Sequence, residues 1–535
     1  MQQADERYTS KWKRRFIVLA ALVALIPGAL AVYFIGRFLT VDAAVTYADI
    51  EEHFKYGSTG GEHEFGFPYY IFLAAPRVCA EHLPGKGYQS LGMVFEKTAD
   101  GKPRDLPVGM SKRRYQGIDR TFFNCATCHT STVRDTPQSP PRLYTGMPAN
   151  TFDIMGFQNF FFACGADARF SKDYIIPEVR RLLQERGQDL DLVDRYVVYP
   201  LAISIMRERL LTLRDRFAPV MKDTAWGPGR VDTFNPGKAA YFHFPMDKVP
   251  EHELKAAVDF PSIWNQRQKR GMHLHWDGNN GKVEERNKNA AFGTGATPPT
   301  IDLASIGRIE TWLLDVKPPR YPYPVDAAKA ARGGQVYAAY CAACHGANGQ
   351  QFALAALNMP KETAKETEET NCLKPGESEA IYGPQVGKIT PIAAIGTDRR
   401  RLDSFSYLLA VNMGTPYAGY PDRFCHYRKT FGYANMPLDG LWLRAPYLHN
   451  GSVPSLRDLL EPSGSRPKVF YRGNDVYDPQ KVGFVADQAA EGSRNYFRFD
   501  TTAPGNGNAG HEGKAYGTEL PAAEKAALVE YLKTF

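Results

Sequence analysis

The segments CATCH (residues 125–129) and CAACH (residues 341–345) are two C-x-x-C-H motifs. Two cysteines three positions apart can each add to a vinyl group of one haem, and the adjacent histidine is then held beside the iron as its proximal ligand. A redox C-x-x-C pair does not need the histidine, and a zinc site needs a further close Cys/His pair that the sequence lacks. The sequence therefore predicts two covalently bound c-type haems, whose attachment and iron-ligating residues are Cys125, Cys128, His129, Cys341, Cys344 and His345.

The composition is that of a globular protein. Of the 535 residues, 43% are hydrophobic and 23% are charged, which excludes a disordered chain. The mean hydropathy of -0.39 excludes a protein with many membrane spans. The net charge is +7, and the sequence has neither a basic stripe nor a groove-reading motif. We therefore expect no nucleic acid partner.

The N-terminus predicts a membrane anchor. A basic cluster at residues 11–15 precedes an uncharged, mostly apolar run at residues 16–36, which Arg37 closes. At about 1.5 Å per residue this run spans a bilayer core as a helix, and the positive-inside rule leaves its basic end in the cytoplasm. We predict a single-pass protein of the bacterial inner membrane with its main body in the periplasm. A signal peptide cleaved at residues 29–31 is the alternative, and it also exports the main body.

The four cysteines outside the haem motifs are predicted to form disulfides. An even number of cysteines outside the haem motifs favours two disulfides after export. The pairs 79–164 and 372–425 would keep each bridge within one half of the chain, but cysteine spacing does not decide the pairing. Free buried thiols are the alternative for all four residues, which are Cys79, Cys164, Cys372 and Cys425.

The chain divides into three predicted parts. Residues 1–40 are the membrane anchor or signal, and residues 41–320 are the first haem domain with extensions. Residues 321–535 are the second haem domain, which is cytochrome c-like. A proline-rich run at residues 318–324 predicts a stiff linker between the two haem domains.

Three helices are predicted from local patterns. Residues 172–217 carry apolar side chains at helical spacing. Asp326 is placed to cap an alanine-rich helix that runs toward Cys341, and residues 521–535 predict a short amphipathic helix at the end of the chain.

A haem at His345 needs a sixth ligand if it serves electron transfer. A glycine-rich loop at residues 505–511 can bring its backbone close to a haem face, which favours the histidine at its end. Spacing alone leaves several downstream candidates open, namely Met413, His426, Met436, His449 and His511.

The haem at His129 differs in this respect. The nearest downstream histidine is His243, more than 100 residues further along the chain. A vacant or weakly held distal position is therefore predicted. An open iron binds dioxygen or peroxide, whereas an iron closed by two protein ligands only passes electrons.

Several further segments occur in an order that resembles a known superfamily. FPSIWN (260–265), WDG (276–278), the second C-x-x-C-H motif and APYLHNGS (445–452) resemble the bacterial dihaem cytochrome c peroxidases and MauG. A closer resemblance is to the rubber oxygenase A (RoxA-like) branch. The segments that carry it are FKYGS (54–58), PVG (107–109), Asn124, MPANTFD (147–153), NAAFGTG (289–295) and the loop that ends at His511.

The resemblance runs over most of residues 45–535 and implies a mainly α fold with two cytochrome c-like haem domains and long irregular extensions. It implies that His511 is the distal ligand of the second haem and that His449 is a structural residue near it. It places Trp276 between the haems as an electron relay, with core packing as the alternative, and Phe292 close to the first iron in an apolar pocket. Some relatives in the superfamily hold calcium between the haems, so calcium is a further candidate cofactor.

Two departures from these families matter for function. The peroxidases use an acid about twenty residues after the WDG tryptophan as a proton shuttle, but here that stretch reads FGTGA (292–296). Glu284 and Glu285 come earlier, where we expect a solvated turn or the start of a helix. The membrane anchor and the shorter chain argue against cleavage of a long insoluble polymer.

These observations lead to a principal hypothesis and two alternatives. The first is an exported, membrane-anchored dihaem oxidoreductase whose first haem binds dioxygen or peroxide and whose second haem relays electrons. Its expected partners are a small-molecule oxidant, an apolar substrate, a redox partner protein and the inner membrane. The alternatives are a non-enzymatic periplasmic electron-transfer cytochrome and a dihaem cytochrome c peroxidase.

Overall fold

The computed structural model describes residues 2–39, 43–98, 100–222, 225–349, 381–417, 419–420 and 424–535. Helices account for about 43% of the structure. They are α1 (Gln2–Leu39), α2 (Ile50–Tyr56), α3 (Tyr69–Val78), α4 (Ile154–Ala166), α5 (Lys172–Gln184), α6 (Tyr199–Met221), α7 (Asn235–Ala240), α8 (Val283–Gly293), α9 (Leu303–Leu313), α10 (Ala327–Tyr340), α11 (Ala342–His345), α12 (Ile392–Ile395), α13 (Arg400–Ser404), α14 (Tyr407–Asn412), α15 (Leu456–Leu459) and α16 (Ala522–Leu532).

The strands are short and pair antiparallel, mostly two at a time. They are β1 (Phe67–Pro68), β2 (Met110–Tyr115), β3 (Ile118–Phe123), β4 (Thr130–Val133), β5 (Arg142–Thr145), β6 (Arg230–Val231), β7 (Val258–Asp259), β8 (Ile389–Pro391), β9 (Gly432–Ala434), β10 (Val469–Arg472), β11 (Tyr477–Asp478), β12 (Gly483–Phe484), β13 (Ala490–Glu491), β14 (Arg494–Asn495) and β15 (Phe497–Asp500). These short strand pairs connect loops by backbone hydrogen bonds. Much of the chain between the helices is therefore irregular but hydrogen-bonded.

The first half of the body packs around aromatic side chains. Phe67 stacks on Phe161 with ring centres 4.4 Å apart, and Phe72 stacks on Tyr88 at the same distance. All of Phe72, Tyr88 and Phe161 are buried. Burial of large aromatic rings supplies much of the favourable free energy of a core, and here it holds α3 against α4.

A second core surrounds the other C-x-x-C-H segment. Helices α10 and α16 cross, and the ring of Tyr337 lies 5.4 Å from that of Tyr531 and 5.1 Å from that of Phe535. The same hydrophobic cluster includes Met147 and Trp264 from the first half of the chain. The two halves therefore share a core, and the boundary at residue 320 stays a prediction.

The local helix predictions have different outcomes. The Asp326 side chain accepts a hydrogen bond of 3.0 Å from Lys329 N and caps α10, and α16 ends the chain, so both of these predictions are confirmed. Residues 172–217 are mostly helical, as predicted, but the range is divided, because α5 ends at Gln184 and α6 begins at Tyr199. The apolar pattern at residues 176–183 lies on α5 and is buried.

The N-terminal helix stands outside the packed body. The span Trp12–Leu39 contains an 18-residue window with a mean hydropathy of 2.5 and is long and apolar enough to cross a membrane. A signal sequence has the same length and composition, so the anchor and the signal both remain open. The C-terminal end of α1 does touch the body, where Arg37 pairs with Asp191 and Asp194.

The disulfide predictions are met as far as the described residues reach. Cys79 and Cys164 form a disulfide that joins the end of α3 to α4. Cys425 is also disulfide-bonded. Cys372 lies outside the described residues, so the second predicted pair is not tested.

Candidate functional site

The first C-x-x-C-H segment is held by its two flanking turns. Asn124 is fully buried, and its side chain accepts from Ala126 N while donating to the backbone oxygens of Lys55 and Gly57. Gly109 has φ +92°, and a Cβ there would lie 2.3 Å from Thr127 Cα. Only glycine tolerates this close approach, which explains the glycine of the PVG segment.

His129 is set up as a ligand through one ring nitrogen. Its Nδ1 lies 2.8 Å from Pro261 O, so Nδ1–H donates and leaves the Nε2 lone pair free. Burial lowers the pKa of His129 to about 4, so the ring is neutral at pH 7. A neutral imidazole oriented by a second hydrogen bond is the form that binds iron.

His345 is held in the same way by the other half of the chain. Its Nδ1 lies 2.7 Å from Met436 O, and burial lowers the pKa of this histidine as well. The residue ends α11, which follows α10 directly. Both C-x-x-C-H histidines thus donate to a backbone carbonyl and keep Nε2 available.

His511 faces His345 across a gap of metal-ligand size. The two ring centres are 6.3 Å apart. Two imidazoles on opposite sides of one ion, with metal–nitrogen bonds of about 2 Å, have ring centres about 6.3 Å apart. His511 is neutral because burial lowers its pKa to about 3. Of the histidines expected from the sequence, this one has the spacing of a sixth ligand.

A buried arginine holds the loop that carries His511. Arg466 is 2% exposed and donates to the backbone oxygens of Asn508, Gly510 and His511 at 2.6, 2.9 and 3.2 Å. A Cβ on Gly510 would lie 2.4 Å from Thr397 N. The glycine lets the loop approach the 395–397 backbone, and the arginine fixes the end of it.

The other candidates for this position lie elsewhere. His449 is buried, and its Nε2 is 3.0 Å from the hydroxyl of Tyr433. Met436 supplies the carbonyl that accepts from His345, and its side chain lines the cavity at the first segment. Met413 lines the same cavity. None of these three is presented to His345 as His511 is.

His426 is engaged by an acid that we expected to be solvated. The His426 Nδ1 lies 2.6 Å from Glu285 Oε2, and Glu285 also accepts from the backbone N–H groups of Cys425 and His426. Glu285 is only 6% exposed, so the expectation of a solvated position is wrong for it. Glu284, next to it, pairs with Arg270 at the start of α8. The helix start itself is confirmed.

Close groups of metal-binding side chains occur twice among the described residues. One comprises Glu285, Cys425 and His426, but the cysteine is disulfide-bonded. The other is Glu81, His82 and Asp167, near the surface. Neither group includes a residue of the C-x-x-C-H segments, and the predicted calcium ion stays a prediction.

A cavity of about 1200 Å³ lies at the first segment, and Cys125, Cys128 and His129 are part of its wall. Its volume exceeds the ~300–1,000 Å³ typical of small-molecule pockets. The rest of the wall is mostly apolar and includes Phe122, Phe157, Phe161, Phe234 and Ile309. His275 is also part of this wall, but among the described residues no ring contact joins it to His129, whereas His345 and His511 face each other.

Phe292 lies in the wall of this cavity, as does Trp276. The ring of Phe292 is 3.9 Å from that of Tyr241, whose hydroxyl donates to Phe292 O at 2.8 Å. Burial raises the pKa of Tyr241, which keeps the hydroxyl protonated. Tyr241 was not expected from the sequence, because no motif surrounds it.

Trp276 is hydrogen-bonded to the segments that orient both histidines. Its Nε1 donates to Asp259 O at 2.9 Å, two residues before the Pro261 carbonyl that accepts from His129. Its own carbonyl accepts from Ala434 N at 2.9 Å. Two residues after Ala434 is Met436, whose carbonyl accepts from His345.

Two charged residues of the cavity wall were also missed. Arg286 on α8 and Glu310 on α9 both line it. Burial raises the pKa of Glu310 to about 7, and its Oε1 has no hydrogen-bond partner. Ile306, Ile309 and Glu310 are spaced to lie on one face of α9. This pattern, an acid on an apolar helix face, could have identified Glu310 from the sequence.

Sequence comparisons match this architecture in its second half. Residues 330–403 match the cytochrome c family, and residues 432–471 match the family described as RoxA-like, cytochrome c-like. Together the two matches support a RoxA-like c-type cytochrome. The RoxA-like match contains Met436, His449 and Arg466, so the carbonyl that orients His345 and the arginine behind His511 belong to it.

Two proteins of Sinorhizobium fredii are similar to this chain. Uncharacterized protein y4iJ is 30% identical over 368 residues, and uncharacterized protein y4iM is 31% identical over 302 residues. The alignments cover 58% and 52% of this chain. They cover 60% and 64% of the relatives, so the chain spans less than two thirds of either one.

The residues present fit the group that a cytochrome c domain implies, which is a covalently bound c-type haem with its iron. The second C-x-x-C-H segment lies within the cytochrome c match. Its histidine is neutral, oriented through Nδ1 and faced by a second imidazole at ligand distance. These features support a haem c electron-transfer or oxidoreductase function for this chain.

Proposed function

We propose that this chain is an exported, membrane-anchored dihaem oxidoreductase that binds dioxygen or peroxide at the first C-x-x-C-H segment and relays electrons at the second. The observation that carries the proposal is an asymmetry. His129 and His345 are oriented alike through Nδ1, but His345 faces His511 at 6.3 Å whereas His129 lies in the wall of a 1200 Å³ cavity.

The cavity wall favours an apolar substrate. When bound, the haem at Cys125 and Cys128 would supply the activation of a small oxidant. Phe292 and Tyr241 line the cavity with two rings in contact, tilted by 33° to each other, and add apolar surface that disfavours water. A dry apolar wall lowers the local dielectric and binds molecules without polar groups. The substrate class proposed on this basis is an apolar unsaturated molecule.

Trp276 supports the relay of electrons between the two segments. It is the one residue of the described chain that we find bonded both to the 259–261 segment behind His129 and to the 434–436 segment behind His345. A residue that joins one histidine support through its side chain and the other through its backbone carbonyl shortens the through-bond route between them. Core packing, the alternative role of Trp276, would not require both bonds.

The first experiment is spectroscopy of the full chain with its haem, purified in detergent. Electron paramagnetic resonance and optical spectra are recorded as isolated, then after dithionite and carbon monoxide. One low-spin bis-histidine signal beside a high-spin or carbon monoxide-sensitive signal supports the proposal. Two low-spin signals with no response to carbon monoxide contradict it and leave an electron-transfer cytochrome.

A dihaem peroxidase is the second candidate, and Glu310 is the observation that favours it. The acid expected by analogy is absent from residues 292–296, but Glu310 lines the same cavity with a free carboxyl oxygen. A carboxyl group that titrates near pH 7 can exchange protons with a bound peroxide. If the peroxidase reading is right, Glu310→Gln lowers hydrogen peroxide turnover with a reduced cytochrome donor. An unchanged turnover rules out Glu310 as the proton donor.

A further inference from the structure

An exposed apolar face lies at the start of α6. Val197, Leu201 and Ile205 follow one another at intervals of four residues, so they share one side of the helical segment. Their exposed fractions are 48%, 55% and 45%. Leu192 and Tyr196, just before them, are 74% and 64% exposed. Contiguous exposed apolar side chains mark a surface that binds another apolar surface.

Val197, Leu201 and Ile205, which we call the mouth residues, also line the cavity at the first C-x-x-C-H segment. A side chain that is both half-exposed to the outside and part of the cavity wall lies at the opening between them. Phe38, near the end of α1, lines the cavity too and packs on the first core. The opening therefore lies where the N-terminal helix meets the body.

The end of α1 is tied to this opening by charge. Arg37 pairs with Asp194 and lies 3.5 Å from Asp191, and its Nη2 donates to Gly117 O at 3.4 Å. Arg37 closes the apolar run of α1, which at about 1.5 Å per residue is about 30 Å long and matches a bilayer core. An arginine at that position lies at the membrane surface, and the mouth residues follow its partner Asp194 in sequence.

We propose that the cavity takes its apolar substrate directly from the lipid bilayer that holds α1, through an opening formed by Phe38 and the mouth residues. The occupant of the exposed face is the bilayer itself. The substrate is then a molecule dissolved in the membrane. This inference rests on the proposed function, because it names the source of the substrate for the first haem site.

Charges around the opening agree with a membrane surface. Glu208 and Arg209 follow the mouth residues on α6, are exposed and also line the cavity. Gln116 and Arg120 line it from the β2–β3 side. The apolar face is thus bordered by groups that can meet lipid headgroups and water. An apolar face bordered by charge is typical of segments that lie in the membrane interface.

Fluorescence quenching tests the contact with lipid. The full chain with its haem is reconstituted in vesicles of phosphatidylcholine and phosphatidylglycerol, and Leu201→Cys and Ile205→Cys carry an environment-sensitive dye. Val469→Cys is the control, because Val469 is 38% exposed on β10 and does not line the cavity. We expect nitroxide on the lipid chains to quench the dye several-fold more strongly at 201 and 205 than at 469.

Equal quenching at all three positions overturns the membrane contact. Shielding of positions 201 and 205 from both lipid nitroxide and aqueous iodide also overturns it, because a protein partner would then cover the face. This readout does not involve the haem iron, so it is independent of whether the first site binds an oxidant.

Isocyanide binding tests the route into the cavity. Association of n-hexyl isocyanide, which partitions into lipid, and of methyl isocyanide, which does not, is followed by the optical spectrum of the reduced full chain in the same vesicles. We expect Leu201→Asp to slow n-hexyl isocyanide about tenfold, because a charge in the opening opposes passage from lipid, and to leave methyl isocyanide unchanged. Val469→Asp is the control.

The two proposals fail in different ways. If neither isocyanide binds the unsubstituted protein, the open iron of the proposed function is contradicted. If both bind and Leu201→Asp changes neither rate, the proposed function stands and the membrane route is overturned.

Discussion

At the residue scale, the two C-x-x-C-H histidines differ only in what faces them. Each donates Nδ1–H to a carbonyl from a distant segment, Pro261 for one and Met436 for the other. This hydrogen bond fixes the orientation of the imidazole ring and makes Nε2 a stronger ligand for a metal. The difference arises from His511, which the tertiary fold brings to one of them. In the proposed dihaem protein, His511 alone gives the second iron its further protein ligand.

Replacing that residue gives the sharpest prediction at this scale. In His511→Ala we expect the low-spin bis-histidine signal to be lost and replaced by a high-spin signal. The control is His449→Ala, which leaves the buried Tyr433 hydroxyl with one partner fewer. This control should lower the unfolding free energy by about 1–3 kcal/mol while the low-spin signal remains. A low-spin signal that survives in His511→Ala contradicts the ligand assignment.

Arg466 is predicted to position His511 without touching the iron. Arg466→Lys keeps the charge but cannot reach all the carbonyls of the loop, so we expect a loss of about 2–3 kcal/mol of unfolding free energy. We also expect a mixture of low-spin and high-spin second haem in resonance spectra. Arg498→Lys, at an exposed ion pair on β15, is the control and should change neither quantity. A uniform low-spin signal in Arg466→Lys would show that the loop holds His511 without the arginine.

At the element scale, short strands and turns carry the connections between the two histidine sites. Trp276 lies in the loop between residues 274 and 280. Its indole N–H donates to β7, and its backbone carbonyl accepts from β9. Neither strand exceeds three residues. These few hydrogen bonds hold the register of β7 and β9. We therefore expect a displacement of one strand to shift the other.

Trp276→Phe removes the indole donor but keeps most of the packing. We expect electron transfer between the two haems to slow, as measured by stopped-flow reduction of each haem signal, while unfolding free energy falls by about 1 kcal/mol. Trp442→Phe is a matched control, because Trp442 Nε1 also donates to a backbone oxygen at 2.9 Å but lies in the second core. Equal rates in the two variants would assign Trp276 to packing alone.

At the scale of the whole molecule, ion pairs join the first haem segment to the second half of the chain. Arg134, five residues after His129, donates to Glu491 at 2.7 and 2.8 Å and to Asp475 at 2.8 Å. It also exchanges backbone hydrogen bonds with the 475–477 segment. These bonds hold β4 against the hairpin of β13 and β14, so they stabilise the shared body.

This junction should make the protein acid-sensitive. The hydrogen bonds from Arg134 lower the pKa of Glu491 from 4.5 to about 2. A depressed folded-state pKa adds stability that is complete above pH 4.5 and is lost as the pH falls toward 2. We expect Glu491→Gln to cost on the order of 1 kcal/mol at pH 7 and nothing at pH 2, by denaturant unfolding. Asp487→Asn, at an exposed ion pair with Lys481, is the control.

The haem chemistry could be predicted from sequence because it depends on local spacing. The two C-x-x-C-H motifs, the cap at Asp326 and the final helix are each contained within a few consecutive residues. The apolar run at residues 16–36 could also be predicted from consecutive residues, because its length as a helix matches the thickness of a bilayer core. Short-range patterns of this kind survive in any tertiary fold.

Only the tertiary structure decided which distant groups meet. His511 stands opposite His345, Glu285 is buried against His426, and Glu310 joins the cavity wall. Local spacing favours His511 and the side of α9 that carries Glu310, but it does not say which distant residues they meet. The opening at Leu201 beside the end of α1 is likewise visible only in three dimensions. Such contacts join residues separated by a hundred positions or more, and they arise from packing, which a linear pattern does not encode.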